Sequence, residues 1–234
     1  MKFESTDILQ QLWQEYPFSE HLLQRLVCGD KYVAVVLTNG NIGVCATLGT
    51  EVVPDKSMLS APNFGSISHR ILVCAWINAC ANYTLPASSG DIFDAIAFAR
   101  FSRIAMVGYF GSLVKKFTDV GLAVDVFDLD ESEKPVLPLA KQQEYLAAAD
   151  ALIVTSTTIF NGTLEALLAM VRPVCAVYML GPSTPLCSAM LDIPNVKALF
   201  GSRFKPSDER VLTQIAIGGG TRSFLGFMDK VYVE

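Results

Sequence analysis

The chain has 234 residues, enough for one large domain or two modest ones that each bury a core. Its apolar fraction is 51% and its mean hydropathy +0.39, yet no apolar run approaches the roughly 20 residues that span a bilayer, so buried parallel strands account for the composition. With 18 basic against 23 acidic residues, net −5 and no basic stripe, nucleic acid is excluded as a main partner, because phosphate neutralisation needs clustered cations.

The opening MKFESTDILQQLW lacks a long apolar core and a small-residue cleavage site, so it reads as the start of a cytoplasmic protein with no membrane partner. Ser5 or Thr6 is predicted to cap a first helix that carries Ile8, Leu9, Leu12 and Trp13. Pro17 interrupts it, and residues 22–26 resume helical spacing. Residues 32–38, the turn Asn39-Gly40 and residues 41–47 predict a β-hairpin. A structured loop over 49–68 leads to a mostly apolar helix over 69–82. Hairpin followed by helix suits a small α+β domain, and the break at 85–90 sets the organisation as 1–90 and 91–234, joined by a short helix over 91–100.

From Ser102 the rhythm changes. Strands are predicted over 104–107, 123–127, 151–155 and 173–179, with a fifth near Val196, and helices over 112–120, 140–148, 164–170 and 208–217. Such alternation means right-handed βαβ units and a doubly wound, Rossmann-like parallel sheet. Six scattered cysteines without a CxxC pair read as buried small hydrophobes, and two isolated histidines add no structural zinc spacing.

Open α/β sheets bind ligands beyond the carboxyl ends of their strands, which selects four stretches. The first βα turn holds Gly108 and Gly111 in a GxxG spacing, a truncated dinucleotide fingerprint that a plain tight turn explains equally well. Asp128 follows 20 residues after Gly108, where a carboxylate can accept from a ribose or diol, or can simply be solvated. In the stretch 155–163, Asn161 can cap the next helix and leave N–H groups of Gly162, Thr163 and Leu164 for an anion, with hydroxyls from Thr157 and Thr158. In GPSTP, Gly181 and Ser183 are ligand candidates, while Thr184 is predicted to cap a helix opened by Pro185. Finally Gly218, Gly219 and Gly220 can form an anion nest beside Thr221, with Arg222 clamping a carboxylate or phosphate or pairing with a surface acid.

The order VGYFGSL, strand-end VFD, ADALIVTSTTIFNGTLEALL, YMLGPSTPL and GGGTRSF resembles the putative heavy-metal chelation family over essentially the whole chain. The resemblance implies an enolase N-terminal-like α+β domain followed by a Rossmann-like domain, with a site between them. It implies a role in making or breaking small molecules such as pterins, flavins or siderophores, with no activity established and no cofactor named. Carried over by position, the site candidates are Gly108, Gly111, Asp128, Thr158, Asn161 and Thr163. To these it adds Gly181, Pro182, Ser183, Gly219, Gly220 and Thr221, with Thr47 and Asn78 from the first domain. Two departures stand out: Asp128 where the pattern often has Glu, and Ser156 where it often has Gly. Dispersed cysteines and two histidines do not make a soft-metal cage, so an organic chelator is the expected ligand.

The leading expectation is an enzyme that condenses or hydrolyses a small polar or anionic metabolite linked to metal chelation, with Asp128 as base or ligand. A non-catalytic carrier or sensor of a metal chelate or nucleotide is the first alternative, since no activated nucleophile can be read. An S-adenosylmethionine-dependent methyltransferase is the second, on Gly108 and Asp128. A homodimer would need an exposed apolar face, which periodicity cannot separate from core.

Overall fold

A computed structural model describes residues 7–132 and 135–234. Ser5 and Thr6 lie outside these; the first helix, α1 (Ile8–Glu15), is capped by Asp7, whose Oδ1 accepts from Leu9 N at 3.0 Å. A three-stranded antiparallel sheet follows, β1 (Leu23–Cys28), β2 (Tyr32–Leu37) and β3 (Ile42–Ala46), in the order β1-β2-β3. The helical reading of 22–26 is thus corrected. β1 pairs along β2, which is buried on both faces and needs a neighbour for its backbone groups. The hairpin expected at Asn39-Gly40 is present, with Val36 opposite Ile42.

After the single turn α2 (Ser57–Ser60) comes α3 (Ile67–Ala81), in which every residue from Arg70 to Ala79 is buried. A helix apolar on all sides must be covered on all sides. One side packs on Val33, Val35 and Cys45 of the small sheet, and the same core continues into Val154, Val177 and Leu199 of the large one.

The large sheet begins with the two-residue β4 (Ser88–Ser89), followed by the turn α4 (Ile92–Ala95). Then come β5 (Ile104–Val107), α5 (Gly111–Asp119), β6 (Asp125–Phe127), α6 (Gln142–Ala148) and β7 (Ala151–Thr155). The turn α7 (Thr157–Phe160) leads into α8 (Leu164–Met170), β8 (Ala176–Leu180), the turn α9 (Ser188–Leu191) and β9 (Val196–Phe204). Helix α10 (Glu209–Ala216), the turn α11 (Thr221–Phe224) and β10 (Met228–Val233) complete it. The strand order is β4-β10-β9-β8-β7-β5-β6, with β6, β5, β7, β8 and β9 parallel and β10 antiparallel to both its neighbours, β9 and β4.

Alternate residues along each strand face opposite layers. Val107, Leu152, Val154 and Val177 face the core shared with α3 and α8, while Met106, Ile153 and Tyr178 face Phe98, Leu113 and Phe117. The sheet is therefore doubly wound, as expected from the alternation. A third cluster joins the outer face of the small sheet, Tyr32, Ala34 and Val36, to Val211, Leu212 and Ile215 of α10. The chain thus returns from the large sheet to cover the small one.

The helix expected at Thr184-Pro185 is absent. Thr184 is fully buried, its hydroxyl bonds the carbonyls of Gly181 and Phe200, and α9 starts only at Ser188.

Candidate functional site

The five parallel strands run 2-1-3-4-5 in chain order, so the order reverses between β5 and β7. Chains leaving these two strands diverge to opposite faces and open a crevice at their carboxyl ends. Gly108 sits there at φ +97°, a backbone state that favours glycine, and a Cβ on it would lie 2.7 Å from Thr155 Cβ. Beyond it α5 starts at Gly111 with Phe110 as a cap that makes no side-chain hydrogen bond. Among the described residues nothing accepts from Gly111 N or Ser112 N, the first N–H groups of α5, and the Tyr109 ring packs beside Gly111.

Asp128 stands at the end of β6. Its Oδ2 accepts from Tyr109 N at 2.6 Å and its Oδ1 from Asp130 N at 2.9 Å, so the carboxylate braces the Gly108–Gly111 turn. On the other flank the hydroxyls of Thr155 and Thr157 bond each other at 3.1 Å, both half-buried. Thr158 turns inward to Thr155 O and is buried. Gly181 closes the row at the end of β8, where its Cβ position is 2.9 Å from Ser156 Oγ, so Ser156 fills the space that a glycine would leave.

The remaining candidates fall in three other places. Ser183 is fully buried in the seam between the sheets, its Oγ accepting from Ala46 N at 2.9 Å, and Pro182 O accepts from Ser202. Asn78 and Thr47 are also fully buried there, Thr47 bonding Asp30 O. This seam is packed interior.

Asn161 and Thr163 lie at the α7–α8 junction. Thr163 N donates to both Thr158 O and Asn161 Oδ1, so of the three N–H groups expected to be open there the one of Thr163 is taken. Sequence reasoning missed Arg70, whose guanidinium reaches from α3 to Phe160 O, to Ile159 O and to the Asp7 carboxylate. Its one signal was a charge inside an apolar helix.

The three glycines expected to form a nest instead terminate α10. Gly218, at φ +80°, donates to Ile215 O, and Gly219 donates to Gln214 O, the paired bonds of a Schellman motif. Gly220 follows under the Lys31 stem, Thr221 bonds Tyr32 OH at 2.8 Å, and Arg222 is exposed on α11.

Two surface hollows lie elsewhere. One of about 360 Å³ at the amino end of the sheet is lined by Arg103, Asp125, Glu144, Tyr145 and Ala148, and burial raises the Asp125 carboxyl there. One of about 230 Å³ lies beside β4 and β10.

The family described as putative heavy-metal chelation, DUF364, matches residues 91–234. The chain belongs to this family. Its fold is that of a DUF364 protein of unknown function from Pyrococcus horikoshii, with a TM-score of 0.81 and 22% identity over 97% of this chain and 98% of that one. A second DUF364 protein of unknown function, from Desulfitobacterium hafniense, superposes with a TM-score of 0.75 at 19% identity over 96% and 98% of the two chains. No curated protein matches. At these identities the DUF364 structures establish the fold alone.

The family description implies a heavy metal, which the donor set tests. Among the described residues no three His, Cys, Asp or Glu side chains gather where they could hold an ion. A zinc site of three or four such side chains is therefore not assembled among the described residues. All six cysteines are free thiols. Among the described residues no helix is long and apolar enough to cross a membrane.

Proposed function

We propose that this DUF364 protein binds a small anionic metabolite, of the metal-chelating or heterocyclic kind, in the crevice between β5 and β7. The observation that carries this reading is the uncapped start of α5 opening at the reversal of strand order, beside Gly108 and the Thr155–Thr157 hydroxyl pair. An anionic group there would take the Gly111 and Ser112 N–H groups, and the hydroxyls would orient the rest of the ligand. Residues 91–234 supply this crevice in the proposal, and residues 1–90 brace it through the buried seam at Ser183.

The enzymatic form of this reading is condensation or hydrolysis with Asp128 moving the proton. The carrier form gains weight from one fact: both Asp128 oxygens already accept backbone N–H groups. The same engagement weakens the methyltransferase alternative, which needs those oxygens for a ribose.

The test is native mass spectrometry with elemental analysis on protein purified without chelators. A bound organic anion supports the reading, and its turnover by wild type but not by Asp128→Asn would make the protein an enzyme. Stoichiometric metal without an organic partner, or an organic mass still retained when Gly111→Pro removes the first N–H group, would refute the crevice as the site.

A further inference from the structure

The amino end of the large sheet carries charge on a face that is otherwise apolar. Arg103 stands two residues before Ala105, and Asp125 two before Phe127; Ala105 and Phe127 both face the core that α6 covers, where the Tyr145 ring meets Phe127 edge-on at 5.7 Å between centroids. Where these strands begin, Arg103, Asp125, Glu144, Tyr145 and Ala148 line the hollow of about 360 Å³, a size within the roughly 300–1,000 Å³ of small-molecule sites. Asp150, a further acid at this end, is already engaged: Arg172 binds its Oδ1 at 2.8 Å, and the N–H groups of Ser102 and Arg103 donate to its Oδ2. The groups lining the hollow are not. Among the described residues the Arg103 guanidinium makes no ion pair or hydrogen bond, and the Asp125 and Glu144 carboxylates and the Tyr145 hydroxyl have no hydrogen-bond partner. Burial raises the half-buried Asp125 carboxyl, and the Arg103 charge offsets part of that from beyond ion-pair distance. One cation and two anions thus face a common space without closing it.

We propose that this hollow binds a free amino acid with a cationic side chain, of the lysine class. The Arg103 fork takes the α-carboxylate, and the two ammonium groups go to Asp125 and Glu144. The methylene stem lies along the Tyr145 ring and Ala148. Charge selects the class. One lining cation against two anions is balanced by a ligand with one carboxylate and two ammonium groups, whereas a neutral zwitterion leaves a carboxylate unanswered and a diamine sets its charge against Arg103. The polar groups are held on fixed backbone: Asp125 is in register opposite Ala105, and the Arg103 main chain is tied to Asp150 and Ala151.

The hollow lies at the end of the sheet opposite the crevice, and its test does not use the metabolite. L-Lysine is titrated into the full chain by calorimetry at low ionic strength, beside cadaverine, which lacks the carboxylate, and aminocaproate, which lacks the α-ammonium. Lysine should bind one to one and about tenfold or more tightly than either analogue, a comparison that needs no variant to fold. Arg103→Gln should weaken lysine about tenfold without weakening cadaverine, and Asp125→Asn should weaken both, with circular dichroism confirming that each variant is folded. Absence of saturable lysine binding, equal affinity for lysine and cadaverine, or lysine affinity unchanged in Arg103→Gln and Asp125→Asn overturns the proposal.

Discussion

Gly108 and Thr155 touch across the gap between β5 and β7, so closely that a methyl group on the glycine would fall within 3 Å of both Thr155 Cβ and Thr155 Cγ2. The contact sets the width of the crevice. Gly108→Ala must either leave its positive φ or push β7 away, at a cost of about 2–3 kcal/mol. Urea denaturation measures it, and a loss within experimental error of zero would show that the turn is not constrained by Thr155.

Buried Arg70 and half-buried Asp7 form an ion pair, and Arg70 also ties the end of α7 to α3. Arg70→Met leaves Asp7 and two helix-end carbonyls without their donor, and the expected loss is about 3–5 kcal/mol. The paired variant Asp7→Asn with Arg70→Met should be less destabilised than the sum of the singles. Simple additivity would remove the coupling.

Ser183 satisfies the Ala46 N–H inside the seam. Ser183→Ala strands that donor and should cost about 1–3 kcal/mol, whereas Ser183→Thr should keep the hydroxyl at the expense of crowding. Equal stability of the alanine variant and wild type in a thermal melt would mean that water reaches the seam.

Alkaline pH should weaken the fold. Burial pushes the thiols of Cys28, Cys175 and Cys187 up to about 11 and that of Cys80 up to about 12, against an ordinary value of 9.0. Burial likewise lifts Tyr32 to about 12 from 10.0. Each group therefore ionises first in the unfolded chain, so stability is complete below pH 9 and declines as pH rises through the interval from 9 to about 12. The urea midpoint measured from pH 7 to 11 under reducing conditions should fall above pH 9; a flat or rising midpoint would contradict the burial of these groups.

The parallel sheet was legible in the sequence because each of its strands is a short apolar run followed by a helix, as at Ile104–Val107 and Ala151–Thr155. Strand order was not legible, since nothing in the residues of β5 says that β6 lies on one side and β7 on the other. The crevice follows from that order. β1 was misread because Leu22, Leu23 and Leu26 satisfy a helical spacing over too few residues to exclude a strand, and the neighbour that decides, β2, is a tertiary fact.

The candidate site was legible at Gly108 and Asp128, where position after a strand is local information. It was misleading at Gly218–Gly220, because an anion nest and a Schellman cap ask for the same residues, and only the bonds to Gln214 and Ile215 distinguish them. Thr47, Asn78 and Ser183, expected to bind ligand, lie buried in the seam between the two sheets. Their complete burial depends on α3 lying between the sheets, which no single segment encodes.

The pairing of Tyr232 with Ser88 sets the sequence of assembly. β4 leaves the ribosome some 140 residues before β10, its one ladder partner among the described residues, and β10 in turn docks on β9. Residues 88–89 must therefore wait, unpaired, until the parallel strands have stacked and the last strand has been made. A ribosome-stalled chain ending before β10 should carry an open sheet edge at β9, exposed to chaperones and to its own neighbours.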